Sequence, residues 1–168
     1  DEENSPDVNN EKEYFTHFLE RVNWKRDLHF QTKTTIDTLD YSGDGLNEGS
    51  KVVISAAGEI KRTLSEKIDE INLPDNFSNP KLISKGNLII QGKGKVEDLV
   101  VSLENQSLDG IGLITLVDDS SFVCEDFSNW LWVTFTRSNP ANDIYGLHSK
   151  TSNKHFSCSI PIIDARRK

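Results

Sequence analysis

Several clusters in this sequence have residue types and spacings that could do chemistry. Asp40-x-Ser42-x-Asp44-Gly45 has the opening pattern of a calcium-binding EF-hand loop, in which oxygens at alternate positions converge on a hard cation. The twelfth loop position calls for a bidentate glutamate, and here it is Lys51. The flanks read as strands, so a tight polar turn is the expectation. Gly92-Lys93-Gly94-Lys95 follows a strand-like run and precedes a helix-like one, where amides at a helix N-terminus can hold an anion. It meets neither the P-loop nor the G-x-G-x-x-G pattern, and a flexible turn with solvated lysines is the expectation. Asp118-Asp119 closes an apolar run. In open α/β sheets ligands gather at the carboxyl ends of strands, and two adjacent carboxylates could bind a divalent ion. The simpler role is to accept from the amides of Ser120 and Ser121.

His17, His29, His148 and His155 lack metal spacing, and only His148, His155 and Cys158 form a loose group. A catalytic zinc site takes three convergent protein ligands. No G-x-S-x-G elbow is present, and no serine or cysteine has an evident base beside it. No catalytic, cofactor-binding or metal-ligating residue is therefore assigned.

The elements that must carry these clusters follow from periodicity. Tyr14, Phe15, Phe18, Leu19 and Val22 recur at the helical period across Asn10–Val22, and Asn10 with Glu13 has the spacing of a capping box. That stripe packs on the core or on another chain or domain. Leu28–Leu39 alternates and is rich in β-branched residues, which predicts a strand. Tyr41–Ser50 reads as a loop and Lys51–Ala57 as a short buried strand. Glu59–Ile71 is a helix or an ordered loop, and Pro74 and Pro80 bracket a further loop. Strands are expected at Asn87–Gln91 and Leu113–Val117, with a helix from Val96 to Leu103 between them. A second helix spans Phe127–Arg137, capped by Asp126 or Ser128 and stopped before Pro140. Asn142–Leu147 and His155–Ile163 read as late strands. The alternation of strand and helix predicts an α/β fold, a mixed β-sheet with flanking helices.

The chain has 168 residues, 35% of them hydrophobic, and a net charge of −8. One domain is the default at this length. Residues 1–12 are almost wholly polar and are expected to be disordered or a linker, leaving 13–168 as a single domain. An acidic surface repels phosphate backbones, which argues against nucleic acid as a partner. No apolar run approaches the ~20 residues of a transmembrane segment. Two thiols far apart, Cys124 and Cys158, fit a reducing cytoplasm rather than a disulfide framework. The chain has no methionine, which leads us to expect a segment of a longer protein.

An ordered set of segments is more specific than any single cluster. Asp37-Thr38-Leu39-Asp40-Tyr41-Ser42-Gly43 runs into Leu46-Asn47-Glu48-Gly49-Ser50-Lys51. Val117-Asp118-Asp119 and Trp130-Leu131-Trp132-Val133-Thr134-Phe135-Thr136-Arg137 follow, then Pro140 with Asp143, and Ile163-Asp164-Ala165 near the end. Together these resemble the C-terminal domain of the UbiD-type decarboxylases, chiefly over Asp37 to Lys168. The form of the tryptophan-rich segment is similar to members acting as 3-polyprenyl-4-hydroxybenzoate or menaquinone-pathway carboxy-lyases.

The resemblance implies a non-oxidative decarboxylase that removes CO2 from a (polyprenyl-)hydroxybenzoate-like aromatic acid. It implies prenylated FMN with manganese and potassium, bound mainly by an upstream flavin-binding domain that also supplies the catalytic residues. It implies that this segment alone is inactive, that it lines part of the substrate pocket, and that it builds a homo-oligomer. His155 and Phe156 are the pocket candidates it offers. Gly112 stands where many relatives have a lysine near the cofactor phosphate, and Arg137 is expected to act structurally at a helix C-terminus. Two other readings remain: an autonomous self-association module without activity, and a small anion-binding protein using Gly92 to Lys95.

Overall fold

Short, largely apolar runs set the centre of the fold, because a strand covered on both faces has no solvent side to mark. The computed structural model describes residues 5–35 and 45–168. In chain order the elements are α1 (Glu11–Arg21), β1 (Leu28–Thr34), β2 (Gly49–Ile54), β3 (Phe77–Ser84), β4 (Asn87–Gly92) and α2 (Val96–Glu104). They continue with β5 (Leu113–Val117), α3 (Ser120–Val123), α4 (Phe127–Arg137), α5 (Pro140–Asp143), β6 (Ile144–Gly146), β7 (Lys150–Ser152), β8 (His155–Ser157) and β9 (Pro161–Asp164). The fold is the expected α/β arrangement with a mixed sheet.

A five-stranded sheet in the order β3-β4-β5-β9-β6 forms the middle. The pairs β4–β5 and β5–β9 are parallel, while β3 and β6 join the two edges antiparallel. Alternate residues of the central strands feed two cores. Leu88, Ile90, Ile114, Leu116 and Ile162 pack with Val96, Leu99 and Leu103 of α2. Ile89, Leu113, Val117 and Ile163 pack with Leu19 of α1 and with Phe127, Trp130 and Val133 of α4. Helices therefore cover both faces, and the antiparallel hairpin β1–β2 packs partly against the α1–α4 side. No helix among the described residues is long and apolar enough to cross a membrane.

Local chemistry fixes the helix ends. Asn10 accepts from the Glu13 amide at 3.2 Å, as its spacing predicts. The return contact differs from a full capping box. The Glu13 carboxylate takes the Asn10 side-chain amide at 3.1 Å, because the Asn10 backbone N–H already reaches the Asp7 carbonyl. At the other end of α1, Arg62 donates to the carbonyls of Leu19 and Val22, satisfying acceptors the last turn leaves open. Asp126, not Ser128, caps α4 by accepting from the Ser128 amide at 2.7 Å.

The structure corrects several local expectations. Pro80 lies inside β3 rather than in a loop. β3 is an edge strand whose register shifts between Ser78 and Lys81, so the missing proline N–H removes no central ladder bond. Of the two readings of Glu59–Ile71 the ordered loop holds, with neither helix nor strand and a tie where Lys61 N–H meets Glu20 O at 2.8 Å. The span His155–Ile163 is two strands in different sheets, β8 pairing with β7 and β9 entering the centre. Pro140 stops α4 as predicted but also opens α5, since a proline tolerates the first turn. The Leu28–Leu39 strand is described only to Thr34 within its element. The Asp40–Gly45 turn lies, apart from Gly45, outside the described residues, as does the Asp37–Gly43 segment of the resemblance.

Candidate functional site

An apolar groove of about 1320 Å3 opens between α1, β2 and α4. Tyr14, Phe15 and Phe18 line it from α1, Trp132 and Phe135 from α4, and Val52 with Ile54 from β2. The sequence places them there through two helix stripes. Phe127, Trp130, Val133 and Thr134 are the buried face of α4, so Trp132 and Phe135 fall on its other side. Those two rings are 60% and 56% exposed, unusually open for their size. Phe15 bridges to the buried side, with its ring 4.6 Å from that of Trp130 in an edge-on contact.

The groove is also electrostatically distinct. The chain carries 27 aspartates and glutamates, yet none is among the described residues that line it. Lys51, at its exposed rim, is the lysine of the lining. His17 also lines it, and burial followed by the nearby Arg21 charge lowers its pKa below the ordinary histidine value.

The carboxyl ends of the central strands, where ligands gather in such sheets, are filled by the chain itself. Asp118 at the end of β5 accepts from Arg137 at 3.4 Å and from the Arg167 backbone amide at 2.9 Å. Arg137 also lies over the Trp132 ring at 5.6 Å. Arg137 thus ties the end of α4 to the end of β5. Asp119 caps α3 by accepting from the amides of Ser121 at 2.9 Å and Phe122 at 3.1 Å. The Asp118-Asp119 pair is thus spent on the chain's own donors. No group of three or more histidine, cysteine, aspartate or glutamate side chains among the described residues could hold a metal.

The Gly92–Lys95 turn has a packing reason for its glycines. A Cβ on Gly94 would lie 2.6 Å from the Phe77 ring, and one on Gly92 would also collide with it. Arg166 donates to Gly94 O at 2.7 Å while making a bidentate pair with Asp164 at 2.7 and 2.8 Å. That pairing raises the Arg166 pKa and fixes its charge. The turn is clasped by protein groups rather than open to a phosphate.

His155 and Phe156 sit on β8, away from the groove lining. His155 Nε2 lies 3.2 Å from Lys25 O, and its ring stands 5.6 Å from that of His29. Phe156 meets Phe30 edge-on at 5.7 Å. His148 is directed elsewhere, with its amide donating to Glu104 at 2.5 Å. Cys158 is buried, and burial pushes its thiol up to about 12. Gly112 contributes its carbonyl to the Trp24 indole N–H at 2.7 Å. Sequence reasoning did not identify the groove. Its available signal was Trp132 and Phe135 falling off the buried stripe of α4.

Comparison with known proteins places these features in a family context. Residues 1–56 match the family described as the 3-octaprenyl-4-hydroxybenzoate carboxy-lyase C-terminal domain. That stretch holds α1 and the β1–β2 hairpin, two of the three walls of the groove. A Chlamydia trachomatis protein named only as uncharacterized is 34% identical over 145 residues, covering 86% of this chain and 25% of that protein. A Chlamydia pneumoniae protein named as one of the subunits of 4-hydroxybenzoate decarboxylase is 31% identical over 159 residues, covering 89% and 26% respectively. The chain therefore spans about a quarter of the length of the curated relatives it matches. No solved structure matches it.

Proposed function

We propose that this chain, a UbiD-type carboxy-lyase C-terminal domain, forms one wall of the substrate pocket of a non-oxidative decarboxylase. The substrate class is an aromatic acid bearing an extended apolar chain, of the polyprenyl-hydroxybenzoate kind. The observation that carries this reading is the groove between α1, β2 and α4: aromatic walls, a lysine at the rim and no carboxylate in its described lining. Apolar burial there is worth about 25 cal/mol per Å2, so an isoprenoid chain gains most of its affinity from the walls. A neighbouring carboxylate would repel the acid head, whereas Lys51 attracts it at the mouth.

Prenylated flavin with its metal ions would supply the electron-accepting chemistry that lets CO2 leave. This chain's residues do not fit that group, because its glycine-lysine turn is closed by Phe77 and Arg166 and its adjacent carboxylates Asp118 and Asp119 are engaged in an ion pair and a helix cap. Binding the cofactor and moving the proton therefore fall to an upstream domain, and this segment contributes binding and water exclusion. Cytoplasmic location and assembly into a homo-oligomer belong to the same reading. His155 and Phe156 remain candidates for a second contact with substrate.

The test is binding to the 168-residue chain, read by fluorescence of Trp132 and Trp24, which both line the groove. A 4-hydroxybenzoate carrying one isoprenoid unit should bind at least about tenfold more tightly than 4-hydroxybenzoate, since each buried methylene contributes about 0.8 kcal/mol. Lys51→Glu should weaken both. Equal affinity for the two acids would remove the reading. Decarboxylation by the chain alone with cofactor supplied would contradict its assignment as inactive.

The openness of Trp132 and Phe135 favours one second reading, a self-association module. In that case sedimentation would show concentration-dependent dimers abolished by Phe135→Glu, with no isoprenoid preference in binding.

A further inference from the structure

Asn87 opens β4 and has no solvent exposure, yet neither its side-chain oxygen nor its nitrogen meets a hydrogen-bond partner among the described residues. The Ser84 hydroxyl is buried and unpartnered in the same way. The two are direct register partners across the β3–β4 hairpin, so their side chains leave the sheet on one side. Asn87 shares the face of Ile89, two residues on, which is the face that packs with Leu19 of α1 and with Leu64.

The backbone nearby is already committed. Gly86 N–H donates to Ser65 O at 2.9 Å, and Gly86 O accepts from Gly112 at 2.8 Å and from Leu113 at 3.2 Å. Ser65 N–H reaches Gly110 O at 3.0 Å. Gly86, at φ +65°, holds this turn, and a side chain there would meet Gly110 O at 2.7 Å. The clamp keeps the backbone from turning toward Asn87. An amide carries two donors and an acceptor, and leaving all of them unmet among apolar groups is a cost that native proteins avoid.

Ser84 also lines a polar pocket of about 760 Å3 that borders Thr16, His17 and Glu20 of α1. We propose that Ser84 and Asn87 form an internal water-binding site, filled from this pocket, which joins the β3–β4 hairpin to α1. The ligand is neutral, because a neutral amide and a hydroxyl are what reach it. The neighbouring Lys85 is held at 2.5 Å by Glu66. A buried water makes about three hydrogen bonds, which matches the groups on offer.

Two measurements test this on the 168-residue chain. A high-resolution crystal structure should show water density within about 3.2 Å of both the Asn87 amide and the Ser84 hydroxyl. Asn87 bonded directly to protein atoms, or a dry contact, would overturn the proposal. Magnetic relaxation dispersion of solvent oxygen-17 should show long-lived water in the parent, with loss of that contribution in Asn87→Leu. Ser84→Ala, at the pocket side, should shorten the residence time and serves if Asn87→Leu does not fold. An unchanged long-lived signal in both variants would equally overturn it.

Discussion

Trp130 donates its indole N–H to the Thr115 hydroxyl at 3.0 Å, and neither residue has any solvent exposure. The bond joins the buried stripe of α4 to the central strand β5, so it fixes how that helix is rotated about its axis. The rotation decides which aromatic residues enter the core and which, Trp132 and Phe135, face the groove. Thr115→Val should cost about 1–3 kcal/mol by stranding the indole N–H, and Trp130→Phe a similar or larger amount. The double variant should cost less than the sum, with a coupling of about 0.5–3 kcal/mol in urea unfolding. Strictly additive losses would show that the bond does not set the helix.

Asp27 links stability to pH. The Arg26 guanidinium at 2.5 Å, offset in part by burial and aided by the Asn23 amide at 2.9 Å, holds its carboxyl below the usual value of 3.8. A carboxylate whose folded pKa is depressed stabilises the fold above its unfolded pKa, and that contribution is lost as pH falls through the folded value. Acid titration of stability should therefore steepen below pH about 4 in the parent, taking the unfolded aspartate near 3.9. Asp27→Asn should flatten that slope and leave the neutral side unchanged in shape. An identical acid limb in both proteins would exclude this role.

The two thiols should differ in reactivity. Burial raises both, but Cys158 is 2% exposed and pushed to about 12, whereas Cys124 is half-buried. Since the thiolate is the nucleophile, a disulfide reagent at pH 8 should label Cys124 first and Cys158 only on unfolding. Mass spectrometry of the native adduct reads the order. Prior labelling of Cys158 would mean that the region around β8 opens readily.

Gly94 should tolerate no side chain, for steric reasons alone. Gly94→Ala drives a methyl into the Phe77 ring and should destabilise by about 1–3 kcal/mol, the usual range for overpacking. Lys93→Ala and Lys95→Ala at the same turn should leave both stability and phosphate binding within error. A selective loss of phosphate affinity in the lysine variants would restore the anion-binding reading.

Much of the architecture is local information. Leu113–Val117 is read as a central strand because four apolar residues flank a single β-branched threonine, Thr115, and leave no solvent face. Asp126 and Asn10 cap their helices because short acceptors reach the open amides wherever they precede a helical run. The sequence alone therefore determines α1, α2, α4, the central strands and the mixed α/β class. The resemblance to UbiD-type C-terminal domains was legible too, and the family model matches residues 1–56, whereas most of the motifs that carried the resemblance lie beyond them. Only the tertiary structure decides the rest. Pro80 joins a strand because β3 happens to be an edge, and Arg166 reaches Gly94 from 72 residues away. The groove exists because the open face of α4 stands across from α1 and β2, a juxtaposition set by packing between segments that the chain's own neighbour-to-neighbour pattern does not encode.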